Sequence, residues 1–215
     1  MKLSLCFFAA LAAFAAEQVS TPIDNDQVKV LNVIVQPHEK TRLHQHKINR
    51  VMIYLQAGTQ NFDYPGGKHS VLTFRAGDIK WSPADGMHVA EVVSSQPVNI
   101  IEVELKKPGA GKVAPSSMDP VKVDAKDYKV QFENDQVRVL RVKIPPHAAS
   151  PMHQHTLNRV VVYLTDQNFR ITTADGKVET STHKAGEVSW GGPAKHTEQN
   201  LSDKPFEVAV VELKD

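Results

Sequence analysis

Residues 28–35 read Val-Lys-Val-Leu-Asn-Val-Ile-Val, and residues 137–144 read Val-Arg-Val-Leu-Arg-Val-Lys-Ile. Both are β-branched, partly alternating runs, the pattern of strands with a buried face. Val51–Leu55 and Val160–Leu164 are short, continuous apolar runs of the kind found inside a sheet. Gly66-Gly67 and Asp175-Gly176 are hairpin signals between strands. No stretch sustains a helical period of useful length. Short strands with Gly and Pro turns predict an all-β chain built as a sandwich or barrel.

The pattern occurs twice. Asn25–Leu55 matches Asn134–Leu164 without a gap and with roughly half of the positions identical. Ala76-Gly77-Asp78 answers to Ala185-Gly186-Glu187, Trp81 to Trp190, and the closing Val103-Glu104-Leu105-Lys106 to Val211-Glu212-Leu213-Lys214. Duplication of one domain of about ninety residues accounts for this. The domains are placed at 17–107 and 128–215. The intervening 108–127, with Pro108-Gly109-Ala110-Gly111 and Pro115-Ser116-Ser117, reads as a linker with a strand near Val121–Val123 that packs on the second domain.

Composition narrows the setting. The chain has 215 residues, 41% hydrophobic, and a formal net charge of +1. No basic block argues for nucleic acid, and no later apolar run is long enough to span a bilayer. Residues 1–16 differ: Lys2 is followed by the apolar Leu3–Ala16, and Ala13-Phe14-Ala15 offers an A-x-A cleavage pattern. They read as a secretory signal peptide, so the mature protein is expected to be secreted or periplasmic. Cys6 is the only cysteine and leaves with that segment, which excludes disulfides and cysteine chemistry from the mature chain.

Candidate chemistry sits in the repeat. His44-Gln45-His46 and His153-Gln154-His155 each place two imidazoles at i and i+2, on one face of a strand. That spacing brings both rings to bear on a single transition-metal ion.

The HxH strand, followed by a block from Gly77 through Pro83 to His88 in one copy and by Gly186, Pro193, His196 and Asn200 in the other, resembles the cupin superfamily. The resemblance covers nearly the whole mature chain and implies a bicupin: two tandem double-stranded β-helix (jelly-roll) barrels. Arg-Val-x-x-Tyr-Leu, Ala-Gly-Asp/Glu-x-x-Trp and Val-Glu-Leu-Lys are also similar to small bacterial cupins of the β-alanine degradation type. It implies a divalent metal (Fe, Mn, Zn or Ni) held by His44, His46 and His88 in the first barrel and by His153, His155 and His196 in the second. The departures are specific. His38 and His147 stand where many cupins have a turn glycine, and Val92 stands where the second motif has an asparagine. Arg50 and Arg159 occupy the place of the usual glutamate ligand, and arginine cannot ligate a metal.

If the strand keeps its phase, Arg50 and Arg159 point inward, where a guanidinium can hold a substrate carboxylate; turned outward, each pairs with a surface acid. A bare arginine beside a divalent ion is repelled, and an anion between the two reverses that sign. Glu198, two residues after His196, reads either as a fourth ligand or general base, or as a solvated rim carboxylate. Ala90 is its counterpart in the first copy. Trp81 and Trp190 are assigned to barrel or interface packing, Tyr54 and Tyr163 to the inner face, His69 and His183 to the surface. Three functions follow: a metal-dependent, dioxygenase-like enzyme on a small anionic molecule, with Arg50, Arg159 and Glu198 at its sites; a non-catalytic binding module for a small acid or a metal; or a structural bicupin whose motif residues are vestigial. Monomer and homo-oligomer both fit.

Overall fold

The computed structural model describes residues 17–214; the segment read as a signal peptide lies outside them. Nine strands form the first half: β1 (Glu17–Asp24), β2 (Val28–Val35), β3 (His44–His46), β4 (Arg50–Tyr54), β5 (Gly58–Asp63), β6 (His69–Phe74), β7 (Ile79–Ser82), β8 (Asp85–Val92) and β9 (Val98–Leu105). A short helix, α1 (Pro120–Val123), precedes the second set. That set comprises β10 (Tyr128–Glu133), β11 (Val137–Ile144), β12 (His153–His155), β13 (Arg159–Tyr163), β14 (Gln167–Thr173), β15 (Val178–His183), β16 (Val188–Gly191), β17 (Ala194–Asn200) and β18 (Phe206–Leu213).

Each half pairs a five-stranded sheet with a four-stranded one. The orders are β1-β2-β9-β4-β7 with β3-β8-β5-β6, and β10-β11-β18-β13-β16 with β12-β17-β14-β15. Neighbouring strands are antiparallel throughout, and no sheet closes on itself among the described residues. The chain is therefore all-β, as expected, with its layers arranged as facing open sheets.

The HxH strand and the arginine strand, read above as one, are two strands in different sheets. The chain bends at 47–49, where the Leu105 amide donates to the Asn49 carbonyl (2.9 Å), and passes from the four-stranded to the five-stranded sheet. All five residues of β4 are buried because both faces of its sheet are covered. Val51 and Ile53 join a core shared by both halves, packing with Val139, Val160, Val162 and Val211; Met52 and Tyr54 join the interior of the first half. Continuous apolar runs are what a doubly covered sheet requires. Reciprocal polar contacts frame the shared core: Asn49 Nδ2 donates to Gln136 Oε1, and Asn158 Nδ2 to Gln27 Oε1. Trp81 packs against the shared core and lies edge-on to Phe132, 6.4 Å between ring centres, as an interface residue. Trp190 is 38% exposed.

The strand expected at Val121–Val123 is a helical turn. Asp119 caps it by accepting from the Val121 amide (3.0 Å), and Pro120 supplies a pre-set φ at the first helical position. Val121 packs against the second core, as anticipated for this segment. His38 and His147 adopt φ of 60° and 59°, the left-handed region that glycine favours, so they serve as turn residues and join neither histidine cluster.

Candidate metal centres and cavities

Both triads converge. His44, His46 and His88 form one cluster, and His153, His155 and His196 another, with ligand atoms within 4.8 Å of one another in each. Register does this: His44 lies across from His88 on β8, and His153 across from His196 on β17. The first pair of strands slips in register between His44 and His46, yet His46 still faces its partners, with Nε2 atoms of His44 and His46 3.0 Å apart.

The Nδ1 atoms are held from behind. His44 Nδ1 donates to the Arg42 carbonyl (2.8 Å), His153 Nδ1 to the Pro151 carbonyl (3.0 Å) and His155 Nδ1 to Glu212 Oε1 (2.7 Å). Each such bond places the proton on Nδ1 and turns the Nε2 lone pair inward, the arrangement a metal requires. His196 Nε2 is buried without a hydrogen bond; Glu198 Oε1 is 3.3 Å away but out of line. A buried orphan nitrogen aimed into a cluster of imidazoles fits a missing cation. Burial pushes His153 down to about 4 and also lowers His155 and His88, which keeps these rings neutral and able to ligate.

Glu212 is itself clamped. Its carboxylate, fully buried, receives His155 on one oxygen and Arg138 Nε on the other (2.6 Å), and Arg138 Nη1 also reaches Asp119 (2.6 Å). Burial raises the Glu212 carboxyl, but His155 and Arg138 outweigh it and hold the group below its ordinary range. His155 was singled out in the sequence as a ligand, but Asp119, Arg138 and Glu212 behind it were not, because their pairing is across the fold.

Both arginines are buried and border cavities, the inward arrangement. Their surroundings differ. Arg50 Nη1 pairs with buried Glu102 (3.2 Å) and its Nε donates to Ser82 Oγ (3.2 Å). Val210 occupies the position equivalent to Glu102 in the second half, since Arg50 faces Glu104 just as Arg159 faces Glu212. Arg159 forms no ion pair among the described residues. It donates to the Gly192 carbonyl and lies over Gly191, whose missing side chain leaves room for the guanidinium.

The second carboxylate has moved as well. Glu198 is half-buried and accepts from Tyr128 Oη (3.1 Å), which also lies 3.4 Å from His153 Nε2. Burial pushes the Glu198 carboxyl up, but the adjacent His196 and the other two imidazoles bring it to about 2. In the first half the matching residues are Ala90 and Val19, fixed by equivalent register: Phe62 pairs with Ala90 as Ile171 does with Glu198, and Val19 with Val33 as Tyr128 does with Val142. A Tyr–Glu pair in one half is thus Val and Ala in the other. First-half His46 instead lies within 4.8 Å of carboxylate oxygens of Glu102 and Glu104.

These exchanges shape the cavities. The first encloses about 550 Å³ and is bordered by all three histidines of its triad. The second encloses about 180 Å³, bordered by His155, Arg159, Tyr163, Glu198 and Tyr128. Tyr54 and Tyr163 line their respective cavities. His69 is exposed and pairs with Asp63 (2.8 Å), as expected of a surface residue. His183, also assigned to the surface, is half-buried, its ring stacked 3.9 Å from that of Tyr163.

No protein-family model matches the chain, and no curated protein does. Among solved structures, AerE from Microcystis aeruginosa aligns with 95% of this chain and 96% of its own at TM-score 0.68 and 14% identity. A variant of oxalate decarboxylase from Bacillus subtilis aligns over 93% of this chain and 72% of its own at TM-score 0.62 and 14% identity. Oxalate decarboxylase from Lactobacillus farciminis, in complex with formate, aligns over 93% and 81% at TM-score 0.61 and 14% identity. What these proteins share with the chain is the cupin fold.

Proposed function

We propose that the protein is an exported bicupin, two tandem barrels spanning about 17–107 and 128–215, with a divalent transition metal in each triad and a small carboxylate as the ligand of the second. The observation that carries this is Arg159: a buried guanidinium that forms no ion pair among the described residues, beside a histidine triad. Burial pulls its pKa down, against the opposing pull of the Glu198 and Glu212 carboxylates. A carboxylate between Arg159 and a bound cation satisfies both, and a bidentate pair with the guanidinium would orient it. The small second cavity suits an acid of few atoms. Support for the ligand class also comes from fold relatives whose names specify oxalate and whose bound species include formate; for one of them Mn(II) centres are described.

His153, His155 and His196 would hold the ion. Bound there, a redox-active divalent metal supplies a Lewis-acidic centre with open positions, and the reaction class we assign is oxygen-dependent oxidation. The residues around it have their own tasks. Arg159 fixes the acid, Glu198 accepts a proton at a carboxylate oxygen, and Tyr128 Oη holds that carboxylate in place. Glu198 Oε1 lies 3.3 Å from His196 Nε2, next to the triad, where a base would have to sit.

The test is metal analysis of purified protein followed by calorimetric titration with acetate, oxalate and β-alanine, and by oxygen uptake. One or two ions per chain, carboxylate binding that Arg159→Met weakens about tenfold or more, and oxygen uptake abolished by His196→Ala are expected. Binding without uptake would make the protein a non-catalytic module. Equal weakening of neutral analogues would remove Arg159 from its role. Recovery of the mature protein from an export compartment, cut after residue 15 or 16, tests the location.

A further inference from the structure

The first cavity differs from the second in the side chains, other than its histidines, that could recognise an acid. Its arginine is already paired: Arg50 with Glu102, both buried. Its remaining charged border residues, Glu17, Lys80 and Asp85, are exposed or half-exposed and so remain hydrated. Its walls are Val19, Leu31, Met52, Phe62, Leu72 and Ile100, from both sheets. Its volume, about 550 Å³ against about 180 Å³, lies in the range of sites that enclose drug-sized molecules, whereas the second falls below it. The enlargement has an identifiable source. Tyr128 closes the second cavity and is 1% exposed, while Val19 at the equivalent place is 52% exposed and leaves the first cavity open at its side.

We propose that the first cavity is a separate binding site for an uncharged molecule with an apolar body, entering past Val19 toward His44, His46 and His88. An apolar body gains by leaving water against these walls, about 25 cal/mol per Å² of buried apolar surface. The buried arginine of this cavity is already paired, so an added anion would have to compete with the Glu102 carboxylate for it. The ligand classes of the two halves are then complementary: a small acid in one, a larger neutral molecule in the other. This goes beyond the carboxylate reading of the second half and does not depend on it.

The probe is N-phenyl-1-naphthylamine, neutral and largely apolar, titrated by fluorescence into the full-length mature chain. Saturable binding at one site per chain is expected, undisturbed by acetate. Val19→Tyr, which copies the residue of the second half, should weaken it about tenfold or more. Leu72→Trp, filling the cavity from the other sheet, should do the same, so that one misfolded variant does not decide the matter; folding of each is checked by circular dichroism. Loss of probe affinity in a folded variant supports the site. Wild-type affinity in both folded variants, displacement of the probe by acetate, or no saturable binding to the wild type would overturn it. Acetate binding to the same samples is read separately by calorimetry, so failure of the second-half reading is distinguishable.

Discussion

Asp119, in the segment joining the halves, accepts a hydrogen bond from Arg138 at 2.6 Å, and Arg138 in turn grips the carboxylate that holds His155. The connector thereby reaches the second triad through two side chains. It also covers the HxH strand, with the Gln154 amide donating to the Met118 carbonyl (2.7 Å). The histidines reflect this: His153 is fully buried, whereas His44 and His46 are half-exposed.

Partners behind a ligating imidazole set its orientation and basicity, and removing one typically costs 10–100-fold in metal affinity. The first half has Lys29 in place of Arg138, and among the described residues no connector caps β3 as Met118 caps β12. We therefore expect the second site to bind metal more tightly than the first. Glu212→Gln should weaken the tighter of two phases in a metal titration by roughly 10–100-fold and leave the weaker phase in place. Asp119→Asn, one residue further out, should produce a smaller loss at the same site. Equal loss at both sites would mean that the chain from Asp119 acts only on folding.

The two arginines should respond oppositely to removal. Arg50→Met leaves Glu102 buried without its cation, which costs roughly 3–5 kcal/mol for a broken buried pair. Arg159→Met breaks no ion pair among the described residues and removes a charge that burial disfavours, so its loss should be near neutral or stabilising. Replacing both Arg50 and Glu102 with apolar residues should recover much of the single-variant loss. Denaturant unfolding of metal-free protein reads all three. Comparable destabilisation by Arg50→Met and Arg159→Met would contradict the charge assignment.

Much of this was legible along the chain, and what was not has a common cause. Alternation in β2 and β11 and the hairpin signals placed the strands; HxH spacing picked out two histidines of each triad, and the cupin resemblance implied the third. The direction of Arg50 and Arg159 stays open between inward and outward in the sequence, and the change of sheet between them and the histidines removes the parity argument for either. Glu102 escaped notice because its partner is set by register between β4 and β9, fifty-two residues apart along the chain. Asn200, read as part of the site motif, is buried and spends its amide on the Ile144, Pro145 and Lys204 carbonyls, tying two loops together. Asn49 and Asn158 precede the arginines in both copies because they contact the opposite half.

Metal removal offers a readout independent of turnover. An ion that binds only the folded chain stabilises it by RT ln(1 + [L]/Kd), about 2.7 kcal/mol at a hundredfold excess over Kd. Chelation should therefore lower the thermal midpoint of wild-type protein by several degrees. His196→Ala, which removes the orphaned nitrogen from the buried triad, should diminish that difference, leaving only what the first site contributes. A midpoint unmoved by chelator in metal-loaded wild-type protein would argue that neither triad holds an ion tightly.

The shared core makes a further demand on stability. Val28, Val51, Ile53 and Ile101 pack in one cluster with Val137, Val160, Val162 and Val211, and all are fully buried. Each five-stranded sheet thus has one face packed against its counterpart, so unfolding either half would expose an apolar sheet face on the other. We expect one calorimetric transition for the metal-free chain, with equal van't Hoff and calorimetric enthalpies. Ile53→Ala should cost about 2–5 kcal/mol by the cavity it opens. Because the cavity lies in the shared cluster, signals from both halves should shift together, including the fluorescence of Trp81 and of Trp190 read in single-tryptophan variants. A first half that melts early while Trp190 reports an unchanged midpoint would show that the two sheet pairs are energetically separate despite their contact.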